Sequence, residues 1–108
     1  MREPTYYILV ALLDGPLHGY GVMKRVERLS HGRVRLAAGT LYAALDRLAD
    51  AELVDGDRQE IVQGRARRYY RLTDHGRQAL QAEAARMAQA AQLVIRRRRR
   101  PSITPELT

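Results

Sequence analysis

Residues 39–54 read GTLYAALDRLADAELV, and this stretch decides the fold. Leu41, Leu45 and Leu48 follow the spacing i, i+4, i+7, which places the three side chains on one face of a helix. We predict that this helix runs from about residue 38 to residue 51. Such a helix suits insertion into a groove, because its other face carries nothing both bulky and apolar. The residues of that other face are Gly39, Thr40, Ala43, Arg47 and Asp50.

Two further helices are predicted upstream, so the leucine helix is the third. The segment from Gly19 to Ser30 carries Val22, Val26 and Leu29 on one stripe, as expected for an amphipathic helix. A short extended piece, residues 34–36, connects this helix to the third. A helix pair with a short connection is typical of helix-turn-helix proteins.

The first predicted helix, YYILVALL, covers residues 6–13 and is apolar on every side. Pro4 precedes it, and the turn-forming residues 14–16 follow it. A helix that is apolar all round must be buried all round. In a chain this small, we expect one side to face the domain core and the other to face a second subunit.

Two extended segments follow the third helix, Leu53 to Val62 and Arg67 to Thr73, with Gly64 in the polar turn between them. This pattern predicts a β-hairpin, and its second strand, RRYYRLT, is strongly basic. Three helices followed by a basic hairpin form a winged helix-turn-helix. The expected fold class is therefore mainly α, with a small β-hairpin wing and a long C-terminal helix.

The long helix is predicted from Asp74 to about Arg98, rich in alanine and capped by Thr73. Its apolar residues repeat with the 4, 3, 4, 3 spacing of a coiled-coil seam, which predicts dimerisation. The seam consists of Leu80, Ala84, Met87, Ala91 and Val94. We therefore expect a DNA-binding domain at 1–73, a dimerisation helix at 74–100 and a flexible tail at 101–108.

The chain has 108 residues, a net charge of +7 and no cysteine, so it is a basic protein. The run of five arginines at 96–100 carries most of this charge, since without it the net charge is +2. We read the run either as a solvated helix end or as a secondary phosphate contact that cannot select a sequence. No segment has the length of an apolar membrane span or the pattern of a signal peptide, so a cytoplasmic protein with no membrane partner is expected.

Three stretches, ILVALLDGPLHGYGVMKRVERLS, GTLYAALDRLADAELV and GRARRYYRLTDHGRQAL, together resemble the PadR family of bacterial transcriptional regulators. The resemblance covers about residues 6–83, and the single C-terminal helix is similar to that of the short subfamily. It implies a homodimeric DNA-binding regulator, usually a repressor, that can respond to a small-molecule inducer. The expected partner is double-stranded DNA with a palindromic operator, which matches a two-fold dimer.

The resemblance makes the helix that starts at Gly39 the recognition helix. The residues expected to contact DNA are Tyr20, Gly39, Thr40, Tyr42, Ala43, Arg47, Gly64, Arg65, Arg67 and Arg68. Family members often carry Ser-Pro before Gly-Thr, whereas this chain has Ala37 and Ala38, which removes a helix cap worth about 1 kcal/mol. Three of the contacts have alternatives. Thr40 can satisfy helix amides, the Tyr42 ring can pack against the hairpin, and Arg47 can pair with a neighbouring aspartate.

The dimer interface is expected to combine the first helix with the seam. Its residues are Tyr6, Tyr7, Leu9, Leu80, Ala84, Met87, Ala91 and Val94. A ligand pocket at this interface would be lined by Tyr7, Met23 and Met87. Plain packing in the core is the alternative for these side chains.

Catalytic and metal-binding patterns do not stand out in the sequence. His18, His31 and His75 are scattered, and no Ser-His-acid or paired-carboxylate spacing occurs, so we predict no enzyme, no metal site and no cofactor. His18 is expected to fix a turn or a helix start. The alternative function is a winged helix that binds a protein or a ligand. That function would require large, exposed apolar residues on the outer face of the third helix, residues 39–47. Apart from Tyr42, this face carries none.

Overall fold

A computed structural model describes residues 1–99, apart from the side chains of residues 57, 58, 98 and 99. Residue 100 and the tail predicted at 101–108 lie outside the described residues. The elements in chain order are α1 (Glu3–Ala11), β1 (Leu17–His18), α2 (Gly19–Leu29), α3 (Ala38–Asp50), β2 (Val54–Val62), β3 (Arg65–Leu72) and α4 (Asp74–Arg99).

Helix α1 begins earlier than the sequence predicts, at Glu3 instead of Tyr6, and ends at Ala11 instead of Leu13. Pro4 lies in its first turn, where a proline is tolerated because the missing N–H would have no partner within the helix. The helix packs against both α2 and α4. It therefore connects α2 to the long helix α4.

The core is formed where α1, α2 and α3 meet. Its fully buried side chains include Ile8, Leu9, Leu12, Val22, Val26, Leu41 and Leu45. Ser30 closes the connection from α2 to α3, because its hydroxyl accepts a hydrogen bond of 2.9 Å from the backbone N–H of Val34. Leu29, the last residue of the predicted α2 stripe, is 38% exposed, since the helix ends there.

Strands β2 and β3 form the predicted hairpin, with Val62 opposite Arg65. This register leaves Gln63 and Gly64 as a two-residue loop, and both have a positive φ, 53° and 78°. Two positive φ angles are what a type I′ turn requires, and Gly64 adopts such an angle without strain. The hairpin is therefore the predicted wing, with the second strand starting at Arg65 instead of Arg67.

A third strand, β1, was not predicted from the sequence. It pairs antiparallel with β3, with Leu17 opposite Tyr70 and His18 opposite Tyr69, which gives the sheet order β1-β3-β2. A strand of two residues shows no alternation, and its pairing partner lies more than fifty residues away in the chain. The start of α2 is thereby attached to the wing.

Helix α4 starts as predicted, after a capping threonine. The hydroxyl oxygen of Thr73 accepts a hydrogen bond of 2.9 Å from the N–H of Gly76 and donates one of 2.6 Å to the carbonyl of Glu52. Gly76 passes so close to the chain before β2 that a Cβ atom would lie 2.9 Å from the carbonyl carbon of Leu53. This position therefore requires glycine.

We expect Gly76→Ala to lower the free energy of unfolding by about 2 kcal/mol, the usual cost of an added methyl group in a packed contact. Thermal unfolding followed by circular dichroism at one protein concentration measures this loss. Gly39→Ala is the matched control, because Gly39 also lies in a helix and has nothing within 4 Å of the added Cβ. Equal melting temperatures for the two variants would contradict the close contact.

The architecture confirms the predicted fold class. The helical core, the basic hairpin and the single long helix together form a winged helix-turn-helix extended by α4. No helix within residues 1–99 combines the length and the apolar character needed to cross a bilayer.

Candidate nucleic-acid interface

The face of α3 that the sequence assigns to DNA lies on the outside of the molecule. Leu41, Leu45 and Leu48 are buried in the core, as their spacing predicts. The residues on the other side of the helix, Gly39, Thr40, Ala43, Arg47 and Asp50, are all exposed. The helix therefore offers a small, polar outer surface.

Ala37 precedes α3 in an extended conformation and makes no side-chain cap. The first amide groups of a helix lack partners within the helix, and an uncapped helix start can donate them to an external acceptor. An anion such as a phosphate is a favourable acceptor there.

A groove of about 610 Å³ lies between the start of α2, the first turn of α3 and the wing. Its lining residues are His18, Gly19, Tyr20, Tyr42, Arg65, Ala66, Arg67 and Arg68. Half of the ten expected DNA contacts meet here, namely Tyr20, Tyr42, Arg65, Arg67 and Arg68. The other five lie outside the groove lining. Gly39, Thr40, Ala43 and Arg47 lie along α3, and Gly64 lies at the tip of the wing.

The groove exists because β1 is so short. Pairing with β1 uses only Tyr69 and Tyr70 of β3, so no strand within residues 1–99 lies beside residues 65–68 on that edge. Three of these four residues are arginines, and Arg65 and Arg68 are exposed while Arg67 is half-buried. A basic strand edge therefore faces the start of α2.

The two tyrosines of the groove come from different helices. The Tyr42 ring lies against Gly19, so closely that a Cβ atom at Gly19 would be 2.8 Å from the ring carbon Cε1. Tyr42 remains 43% exposed and Tyr20 59% exposed. The Nζ atom of Lys24 lies 5.7 Å from the centre of the Tyr20 ring, which adds a cation at the groove margin.

Arg68 is held across the hairpin. Its guanidinium carbon lies 5.9 Å from the centre of the Tyr70 ring, and its side chain covers Gly56 on the neighbouring strand. A guanidinium over an aromatic face keeps its five donors in a defined plane. Arg68 is therefore pre-positioned, which matters for binding because less side-chain entropy is lost.

His18 belongs to the groove, although the sequence predicted for it only a role in a turn or helix start. Its ring stacks on Tyr20 at 6.4 Å between centroids and meets Tyr69 edge-on at 5.5 Å. Burial lowers the pKa of His18 below its ordinary value, the positive charge of Arg67 lowers it further, and Glu60 acts in the opposite direction. The signal that could have revealed this role is the position of His18 directly before Gly19 and Tyr20.

The residues expected at the dimer interface fall into two groups. Leu9 and Leu80 are buried in the core of the chain itself, 0% and 3% exposed. Met87, Ala91 and Val94 are exposed on α4, while Tyr6, Tyr7 and Ala84 are half-buried. Within residues 1–99, the seam beyond Ala84 is thus open to solvent.

The expected ligand pocket corresponds in part to a groove of about 250 Å³ between α1 and α4. Tyr7 and Met87 line it together with Met1, Glu3, Tyr6 and Glu83. Met23 is not among these residues and packs against the core. Arg86 forms an ion pair with Glu83, which is itself nearly buried.

The arginine run begins in the last turn of α4. The side chains of Arg96 and Arg97 are exposed, and the helix backbone continues to residue 99. Among the described residues, no group of three or more metal-ligating side chains is close enough to hold an ion.

The fold and the groove define a class, the winged helix-turn-helix proteins with a C-terminal helix. Residues 8–82 match the Transcriptional regulator PadR-like family, and the chain belongs to this family. It is 40% identical over 90 residues to the transcriptional regulator Rv3488 of Mycobacterium tuberculosis, covering 82% of this chain and 79% of that protein. It is also 44% identical over 87 residues to an uncharacterised 37.1 kDa protein of transposon TN4556 of Streptomyces fradiae. That match covers 81% of this chain but only 24% of the longer protein.

Solved structures show the same fold. A PadR family transcription regulator from Clostridium difficile superposes with a TM-score of 0.73 at 22% identity, covering 88% of this chain and 97% of that one. Bacillus subtilis PadR, solved in complex with operator DNA, gives a TM-score of 0.68 at 23% identity, covering 99% of this chain and 52% of that one. At sequence identities of 22% and 23%, the similarity to these two structures shows a shared fold.

Proposed function

We propose that this regulator is a homodimer that binds a palindromic operator in double-stranded DNA and represses transcription, acting in the bacterial cytoplasm. Helix α3 would enter the major groove, and the wing would follow the neighbouring backbone. Contacts to phosphates would supply a salt-dependent affinity, and the side chains of α3 would supply the choice of sequence.

The observation that carries this proposal is the groove between α2, α3 and the wing. Three arginines and two tyrosines from separate parts of the chain converge there, next to the exposed polar face of α3. Guanidinium groups bind phosphate oxygens through two parallel hydrogen bonds, which makes such a cluster suited to a nucleic-acid backbone. The solved complex of Bacillus subtilis PadR with operator DNA supports the same use of the fold.

The dimer is supported by the exposed seam of α4. Met87 and Val94 are 41% and 70% exposed, and Ala91 between them permits close approach of a second helix. A helix with an open apolar stripe over several turns is best covered by a copy of itself. Two recognition helices related by a two-fold axis would then read two half-sites.

An inducer would act through the groove between α1 and α4, whose lining includes two tyrosines and two methionines. A ligand there would lie beside the open seam of α4 and could change the spacing of the recognition helices. It would release DNA only if it binds the two arrangements with different affinity.

Selection of DNA from a random pool, followed by affinity measurements at increasing salt, tests the proposal. We expect an inverted repeat whose half-sites lie one helical turn apart, about 10 base pairs, or a multiple of it. Equal affinity for the selected and for random duplexes at every salt concentration would overturn the assignment.

Two substitutions separate sequence choice from general affinity. Thr40→Ala should change the preferred base at one position per half-site, because Thr40 lies exposed on the first turn of α3. Arg68→Ala should weaken binding to all sequences by about tenfold or more, since a hydrogen bond to a charged group contributes about 1.5–3 kcal/mol. Repeating the pool selection and the affinity series with each variant distinguishes the two effects. Wild-type behaviour of both variants would mean that another surface meets DNA.

A further inference from the structure

We infer that a backbone phosphate of DNA is bound in the groove between α2 and the wing, and that His18 takes up a proton when it is bound. This inference rests on the proposed DNA binding and adds a residue and a pH dependence to it. His18 would thus be a phosphate-binding residue whose charge follows the state of the complex.

The geometry brings donors from three elements to one place. His18 ends β1, Arg65 and Arg67 lie on the open edge of β3, and Tyr42 comes from α3. The cavity of about 610 Å³ is large enough for a phosphate group with bound water. The imidazole is half-buried and lies near the rings of Tyr20 and Tyr69, which restrict its orientation.

The charged groups around His18 differ in sign. Arg67 on β3 opposes protonation, and Glu60 on β2 favours it. The Glu60 carboxylate also accepts a hydrogen bond of 3.1 Å from the Tyr69 hydroxyl, which holds the acid on the wing. Other titratable groups nearby, among the side chains that the structure describes, include Lys24 beside Tyr20, the hydroxyls of Tyr20, Tyr42 and Tyr69, and the guanidinium groups of Arg65 and Arg68.

A bound phosphate shifts the protonation equilibrium of His18 towards the charged form. In the free chain, burial and Arg67 lower the pKa of His18, so the imidazole is neutral near pH 7. A phosphate beside the ring favours the charged form and raises the pKa. Binding must then take up a proton, and affinity must rise as the pH falls through the pKa of the complex. The increase levels off below the pKa of the free chain and is at most about tenfold per pH unit for one proton.

The experiment is an affinity series with the selected operator duplex between pH 5.5 and 8.5 at constant ionic strength. We expect wild type to bind more tightly at low pH, and His18→Gln to bind the operator with a weaker affinity that hardly changes with pH. His31→Gln and His75→Gln are the matched controls, because both histidines are exposed and lie outside the groove lining. A pH dependence that survives in His18→Gln, or disappears equally in a control, would overturn the inference.

A second measurement needs no substitution. Nuclear magnetic resonance titration of the His18 imidazole, free and with the operator duplex, should give a higher pKa in the complex. An equal or lower pKa in the complex would overturn the inference even though DNA binding itself stood. If the wild-type protein shows no specific binding at any pH, the proposed function itself fails.

Discussion

Replacing Arg65 and Arg67 together by glutamine lowers the affinity for the selected operator by about 100-fold or more. Each guanidinium that binds a phosphate contributes about 1.5–3 kcal/mol, and every 1.4 kcal/mol corresponds to a factor of ten. The two side chains lie on the edge of β3 beyond its pairing with β1, and both line the groove. Fluorescence anisotropy with a labelled duplex measures the loss.

The matched control removes two other arginines, in the variant Arg96→Gln/Arg97→Gln. Both variants lose the same charge, yet we expect the control to lose less than threefold, because Arg96 and Arg97 lie at the far end of α4 and not in the groove. The wing variant should also reduce the salt slope of log K by about two, close to one phosphate contact per arginine. An equal loss in both variants would mean that total charge determines affinity and that the groove does not.

Helix α3 was the most predictable part of the molecule. The sequence predicted a start near Ala38 and a buried face formed by the leucine spacing, and the structure confirms both. The wing was predictable for a similar reason, since Gly64 in a polar turn between two extended segments requires only local information. Capping by Thr73 is also local and was predicted correctly.

What the sequence could not provide depends on distant contacts. The two residues of β1 form a strand because Tyr69 and Tyr70 lie beside them. So short a segment shows no hydrophobic periodicity from which the strand could be predicted. The role of His18 follows from that pairing, because β1 carries the imidazole to the edge of the wing. A sequence motif places His18 before a helix and gives no information about its neighbours in space.

Helix α1 shows a second limit. Because it is apolar on every side, its sequence cannot tell which side meets the chain itself and which meets a partner. Leu9 was expected at the dimer interface, and the structure buries it completely among the chain's own helices. The same holds for Leu80, the first residue of the seam. Among the residues expected at the interface, those in the later part of α4 are the most exposed, and the second prediction concerns them.

Met87→Glu/Val94→Glu should convert the proposed homodimer into a monomer. Helix α4 continues for about 22 Å beyond Ala84, at 1.5 Å per residue. Both side chains lie on the exposed seam there, and a carboxylate at each position would face its counterpart in a paired helix. Burying a charge without a counter-ion costs several kcal/mol, so the paired helices should separate. Analytical ultracentrifugation measures the change of mass.

Ala85→Glu/Gln89→Glu is the control, because it adds the same two charges on nearby turns of the same helix, on the side away from the seam. This variant should remain dimeric. The monomer should bind a single half-site, and its affinity for the full operator should fall by about 100-fold or more, since binding the second half-site no longer follows at a high effective concentration. A dimeric Met87→Glu/Val94→Glu protein would place the interface elsewhere. A monomer with undiminished affinity for the full operator would show that the two half-sites are bound independently.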